Sequence, residues 1–195
     1  MRIDPAEYLA LDLEAHALLA GVPLRDVSAV DLPDGGAGRT IADVLARMDF
    51  VRGDPPRAVR ALVALRRKLG NAFGWDRDET RLTEPSTARR LSADQRRRSL
   101  CAPGATAGPL PLVYQFPNEA LGEVRNATVH AWSCMALRAQ ANGYRFYWAI
   151  YVASVSAFTP IYMAAIEPFR RFVVYPAMLR ALRESWPRPI AGGAR

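Results

Sequence analysis

The sequence predicts an α+β fold in which one long C-terminal helix lies across an antiparallel sheet, and three observations predict it. Phe146 to Ile166 is a run of 21 residues without a charge, long enough to cross a bilayer. Its first part is aromatic and β-branched (Phe146, Tyr147, Trp148, Ile150, Tyr151, Val152, Val155, Phe158), which suits a pleated strand. Thr159-Pro160 then supplies an N-cap and a first-turn proline. The run therefore divides into a strand, Tyr144 to about Phe158, and the start of a helix, and no membrane span is expected. Asn142-Gly143, the second observation, is a hairpin signal placed before that strand. The third is the order of elements: strands gathered in the second half and then a helix, the pattern of an α+β domain.

Pro5 to Leu19 puts Tyr8, Leu11, Ala15, Leu18 and Leu19 on one side and reads as a helix that Gly21 ends. Val22 to Leu32 alternates weakly and reads as a first strand. Pro33-Asp34-Gly35-Gly36 is a turn. Thr40 caps a helix with Ile41, Val44, Leu45 and Met48 at helical spacing, and Asp54-Pro55-Pro56 opens another that runs to Phe73. Asp76 to Pro111, dense in Arg, Thr, Ser and Pro, reads as a flexible insertion or lid, helical only near Ser92 to Leu100. Leu112 to Phe116 is a short strand, Pro117 to Ala120 a turn, and Gly122 to Gln140 one long strand. The final helix spans Pro160 to Arg183, with kinks expected at Pro168 and Pro176. The tail from Trp186 to Arg195 reads as disordered.

Half of the 195 residues are hydrophobic, enough for the core of a single domain over residues 1–195. The N-terminal stretch turns acidic at Glu7, Asp12 and Glu14, unlike a signal peptide, so a cytoplasmic location is expected. Cys101 and Cys134 have neither metal-ligand nor redox spacing, and no metal or cofactor is expected. The net charge of +7 is concentrated in residues 52–98, which hold 13 basic and 6 acidic residues. The basic residues are not interleaved with aromatics, and Lys68 is the single lysine. An arginine-rich composition accounts for the charge better than a nucleic-acid partner does.

The stretch Arg57 to Trp75 (RAVRALVALRRKLGNAFGW) and the stretch Phe158 to Val174 (FTPIYMAAIEPFRRFVV) resemble, in order and spacing, two segments of the domain-of-unknown-function-2867 family. The resemblance covers roughly Val22 to Leu182. That family in turn resembles START-like, polyketide-cyclase (SRPBCC) proteins. The resemblance implies a helix-grip fold: a curved antiparallel sheet wrapped around a long C-terminal helix, with an apolar cavity between them. The family's pattern Gly-x-Asp-Asp-x-His-Leu-Asp-Phe is lost when aligned on Gly122, where Val124, Arg125, Ala127, Thr128, Val129 and His130 follow. The histidine of the family's Pro-Phe-His is Arg170 here. Chemistry carried by those polar residues does not transfer, and a repurposed cavity is implied.

Three residues are candidates for catalysis. His130 is the natural candidate for proton transfer, Tyr147 offers a hydroxyl, and Glu167 is a carboxylate among apolar neighbours and directly before a proline. Trp132, Tyr151, Tyr114, Tyr162 and Phe169 are candidate ligand-binding aromatics. Along the strand, Thr128, His130, Trp132 and Cys134 share one face and Val129, Ala131, Ser133, Met135 and Leu137 the other. The second face suits a core under a helix; the first could line a cavity or meet solvent. His130 and Cys134, four apart on a strand, would lie roughly 13 Å apart, too far for a thiol–imidazole pair.

Phosphate loops, nucleophile elbows and paired-carboxylate motifs are absent from the sequence. The reading that combines residues and resemblance is a cofactor-independent, cyclase-like enzyme acting on a hydrophobic, polyketide-like molecule. Its rival is a non-catalytic carrier or sensor of a hydrophobic small molecule. Both call for a cavity of roughly 300 Å³ or more. Homodimerisation, and docking through the basic segment, stay open.

Overall fold

The computed structural model describes residues 1–33, 36–48, 86–107, 110–125, 129–155 and 159–187, with Arg60 and Ala64 as isolated helical positions. The rest of the helix expected from Asp54 to Phe73 lies outside the described residues, as does the turn at Asp34-Gly35. The described elements form an α+β architecture around a five-stranded antiparallel, curved sheet. Its strands are β1 (Leu24–Pro33), β2 (Leu112–Phe116), β3 (Glu119–Arg125), β4 (His130–Gln140) and β5 (Gly143–Ala153), in the spatial order β1-β5-β4-β3-β2.

The single strand expected from Gly122 to Gln140 is instead two strands. Arg125 pairs with His130 and Glu119 with Ala136, so β3 folds back on β4. A strand of that expected length far exceeds the usual five or six residues, and the Arg125-Asn126 step carries turn chemistry that the apolar alternation masked. The β4–β5 hairpin is where the sequence put it, with a refined register. Gln140 pairs with Gly143, so the loop is Ala141-Asn142 and Gly143 opens β5 at φ 124°, a backbone conformation that favours glycine. Gly122 is also required: a Cβ there would stand 2.9 Å from the Leu110 Cβ.

Helices cover both faces of the sheet. The N-terminal helix expected over Pro5–Leu19 is broken into α1 (Pro5–Leu9) and α2 (Glu14–Leu18). Leu13 between them is extended, at φ −131° and ψ 133°. The break lets Tyr8, Leu13, Ala15, Leu18 and Leu19 all bury against one sheet face. A single straight helix would turn some of these side chains away from it. On the same face sit a 3₁₀ turn over Ser86–Arg90 and helix α3 over Ala93–Arg98, which opens with a Ser92/Gln95 capping box. Residues 86–107, part of the stretch read as an insertion, thus lie on the sheet, and backbone bonds from Leu100 to Gln115 and from Gly104 to Leu112 run along β2.

The opposite face carries helix α4 (Ile41–Met48) and the C-terminal helix. The latter runs as α5 (Thr159–Phe169), a π-helical turn (Arg170–Val174) and α6 (Tyr175–Ser185). The expected proline kink takes the form of this π turn. Pro176 has no N–H to give the carbonyl of Phe172, and the Tyr175 N–H instead reaches Arg170 O. Trp186, which the sequence reading placed in a disordered tail, is fully buried. Arg47 of α4 explains it: its guanidinium donates to the carbonyls of Ser185 (3.3 Å) and Trp186 (3.4 Å) and lies over the indole ring. These are orphan carbonyls at a helix C-terminus, where a cation is favoured. Among the described residues, no helix is long and apolar enough to cross a membrane.

Candidate functional site

An apolar pocket of about 210 Å³ lies between the sheet and the C-terminal helix. Strand alternation sends Ala131 and Ser133 of β4 and Trp148, Ile150 and Val152 of β5 to this face. Met163 and Ile166 of α5 close it from above. The volume falls short of the roughly 300 Å³ that both ligand readings called for.

Three polar side chains enter the lining. The Ser133 Oγ accepts the indole N–H of Trp148 at 2.7 Å and is thereby engaged. Tyr175, from the first turn of α6, packs its ring 5.0 Å from that of Trp148. Arg170, one π turn earlier, donates Nε to the Tyr175 hydroxyl oxygen at 2.7 Å and also directs Nη2 to it. Burial pushes the Tyr175 phenol above its ordinary pKa, against the opposing pull of Arg170. The phenol therefore keeps its proton. With its oxygen already accepting from Arg170, its O–H is oriented to donate elsewhere.

The candidate residues do not converge on this pocket. His130, Trp132, Tyr147, Tyr151 and Tyr114 belong to the other sheet face. There α1 packs against Tyr147 and Tyr151. Tyr8 buries its ring 6.4 Å from that of Tyr151, and the Tyr147 hydroxyl donates to Glu7 at 3.0 Å. The pKa of Tyr147 is raised by burial and then by Glu7. Glu167 and Phe169 sit on the C-terminal helix and are exposed. The backbone of Tyr162 lies in α5, and its side chain is outside the described residues. Cys134 is buried beside Tyr8, with its pKa raised by burial, the opposite of an activated nucleophile.

Sequence reasoning missed two buried carboxylates on that second face. Glu123, 1% exposed, accepts the Thr87 N–H at 2.9 Å and pairs with His130 Nε2 at 2.6 Å. Trp132 stacks on His130 with ring centroids 3.9 Å apart and donates its indole N–H to Thr87 Oγ1 at 2.8 Å. Read as one strand, Gly122 to Gln140 would hold residues 123 and 130 far apart. The β3–β4 hairpin makes them diagonal neighbours. We expect Glu123→Gln to cost about 1–3 kcal/mol, read by chemical denaturation, since the amide cannot accept from Thr87 and His130 at once with both of its heteroatoms. An unchanged midpoint would show that the pair contributes nothing.

Glu119, 3% exposed, is the other. Its carboxylate accepts the backbone N–H groups of Glu14 (3.1 Å) and Ala15 (2.9 Å) and the Tyr114 hydroxyl. It thus caps α2 from the far end of the sheet. A cleft of about 580 Å³ opens beside it, but its charges answer one another: Arg98 holds Glu14 at 2.6 Å and Asp94 at 2.7 Å. Among the described residues no group of three potential metal ligands is found.

A family model described as "Protein of unknown function (DUF2867)" matches residues 18–177. No curated protein and no solved structure matches the chain.

Proposed function

Because the chain belongs to the DUF2867 family of proteins of unknown function, we propose its function from its own geometry: it is a non-catalytic carrier or sensor of a small hydrophobic molecule, held between sheet and C-terminal helix in a helix-grip manner. The observation that carries this is the pocket's chemistry. Its walls are mainly apolar, and the donor singled out here is the Tyr175 O–H, whose oxygen accepts from Arg170. Neither a carboxylate nor a histidine is among the described lining residues, which leaves Tyr175 without a partner base there. Its size narrows the ligand. The roughly 300 Å³ asked of both ligand readings is the lower end for drug-sized ligands, which 210 Å³ excludes; an apolar cavity of about 150 Å³ suffices for benzene, so the carrier reading holds here only for a compact molecule of one or two rings with a carbonyl or ether acceptor. A polyketide-like chain would not fit, which is the reason for preferring this reading to the cyclase.

Naphthalene and 2-acetylnaphthalene, titrated by fluorescence, provide the test. The ketone should bind about three- to tenfold more tightly, the worth of one net hydrogen bond. Tyr175→Phe should erase that preference while leaving naphthalene binding intact. Ala131→Trp should fill the pocket and abolish both. Binding that ignores Ala131→Trp would refute the site.

A second reading, a proton-transfer enzyme, is supported by the Glu123–His130 pair. A carboxylate 2.6 Å from Nε2 fixes the imidazole orientation. Its test is turnover that disappears with both His130→Gln and Glu123→Gln while pocket binding persists.

A further inference from the structure

On the other side of the C-terminal helix, a groove of about 350 Å³ separates α6 from the edge strand β1. Tyr175 stands between it and the pocket and lines both. Val30, Pro176 and Leu179 give the groove apolar walls, while Arg2, Arg171, Arg180 and Arg183 bring four guanidinium groups to it. Asp26, from β1, is the one carboxylate among the described lining residues. It is 8% exposed and stands 3.9 Å from Arg2, so it offsets one of the four positive charges and leaves the groove cationic. Arg171, Arg180 and Arg183 form no ion pair among the described residues. The contrast within the molecule is informative. Arg98 and Arg145 each engage two carboxylates, so arginine abundance by itself does not leave a cluster without acceptors.

We infer that this groove binds an organic oxyanion, a carboxylate or a phosphate monoester carried on an apolar body. Guanidinium forks match the planar or tetrahedral oxygens of such groups and desolvate more readily than ammonium groups. The excess of positive charge on the groove wall draws an anion to it. The apolar walls then reward a hydrophobic body behind the anionic group, and the volume falls within the range of small-molecule sites. The inference does not rest on the pocket reading, because the groove is built from β1 and the arginine side of the helix and shares only Tyr175 with the pocket.

Calorimetric titration of the full chain with phenyl phosphate, hexanoate and inorganic phosphate tests it. Phenyl phosphate and hexanoate should bind saturably, and inorganic phosphate about tenfold more weakly than phenyl phosphate. The double variant Arg180→Ala/Arg183→Ala should weaken both organic anions at least tenfold, while its melting temperature stays near that of the wild type, since both side chains are exposed. Arg97→Ala, which removes an exposed arginine paired with Asp94 elsewhere on the surface, should change nothing. Failure of the wild type to bind either organic anion at millimolar concentration overturns the proposal. So does equal affinity in the double variant. Equal affinity for inorganic and phenyl phosphate would reduce the groove to a site for free phosphate and overturn the organic class.

Discussion

Glu119→Ala should cost about 3–5 kcal/mol of stability, a large part of the 5–15 kcal/mol that holds a typical domain together. The substitution strands three donors at once. The Tyr114 hydroxyl is fully buried, the Ala15 N–H is buried, and the Glu14 N–H is partly so. The cleft beside Glu119 lets water reach the part-buried Glu14 N–H, but the Ala15 N–H and the Tyr114 hydroxyl are buried. Unpaired buried donors each forfeit their desolvation cost. Loss of the cap also frees the N-terminus of a helix only five residues long, too short to persist without its tertiary contacts. Thermal and denaturant unfolding of Glu119→Ala would show the effect, and a midpoint within error of the wild type would contradict the account.

The same carboxylate makes a signed prediction about pH. Burial raises its pKa above the ordinary 4.5, outweighing the hydrogen bonds and Arg138, which lower it. A group with a raised folded-state pKa binds its proton more tightly when folded. Its contribution is therefore fully present below about pH 4.5, the unfolded value, and is lost as pH rises through the folded value. Glu119→Gln removes this titration. The difference in stability between wild type and Glu119→Gln should shift against the wild type as pH climbs above 4.5. A difference that moved in the wild type's favour would reverse the assigned sign.

Trp148→Ala should be comparably severe, about 3–5 kcal/mol. Trp148 is 6% exposed on β5, an interior strand paired with β1 and β4. Its ring packs against Tyr175 and its N–H satisfies Ser133 Oγ. Truncation leaves that hydroxyl with a lost partner and a ring-sized void that opens onto the existing pocket. That geometry allows a rescue experiment. Indole added to Trp148→Ala should enter the void and raise the melting temperature by mass action, while the wild type should respond far less. Variants elsewhere in the core, such as Trp132→Ala on the opposite face, should not be rescued through this pocket.

Much of the local structure was legible. The Leu112–Phe116 strand, the hairpin at residues 141–143, the helix from Ile41 and the break at Thr159-Pro160 each follow from short-range signals: alternation, turn residues and caps. The α5–α6 prolines announced a disturbance in the helix, though not that it would be a π turn. The N-terminal helix was read as continuous because its apolar residues do recur at helical spacing. Its break at Leu13 is imposed by a carboxylate more than a hundred positions away.

The candidate site was legible only as two lists of residues. Period-two alternation correctly grouped Ala131, Ser133 and Met135 on one face of β4, and His130, Trp132 and Cys134 on the other. Alternation says which side chains share a face, and nothing about what covers it. Only the tertiary structure decided that α1 and α2 close the face bearing Tyr147 and Tyr151, leaving the pocket under the C-terminal helix to Tyr175 and Arg170, two residues that sequence reasoning passed over as ligand contacts. The pairing of Glu123 with His130 and the capping of α2 by Glu119 have the same origin. Each depends on a β3–β4 hairpin or a long-range packing that no local pattern encodes. The sequence by itself determined where most strands and helices begin and their two-sidedness, because those follow from interactions between near neighbours; the breaks at Leu13 and between β3 and β4 did not. Burial, charge pairing and the shape of the pocket waited on contacts between residues far apart in the chain.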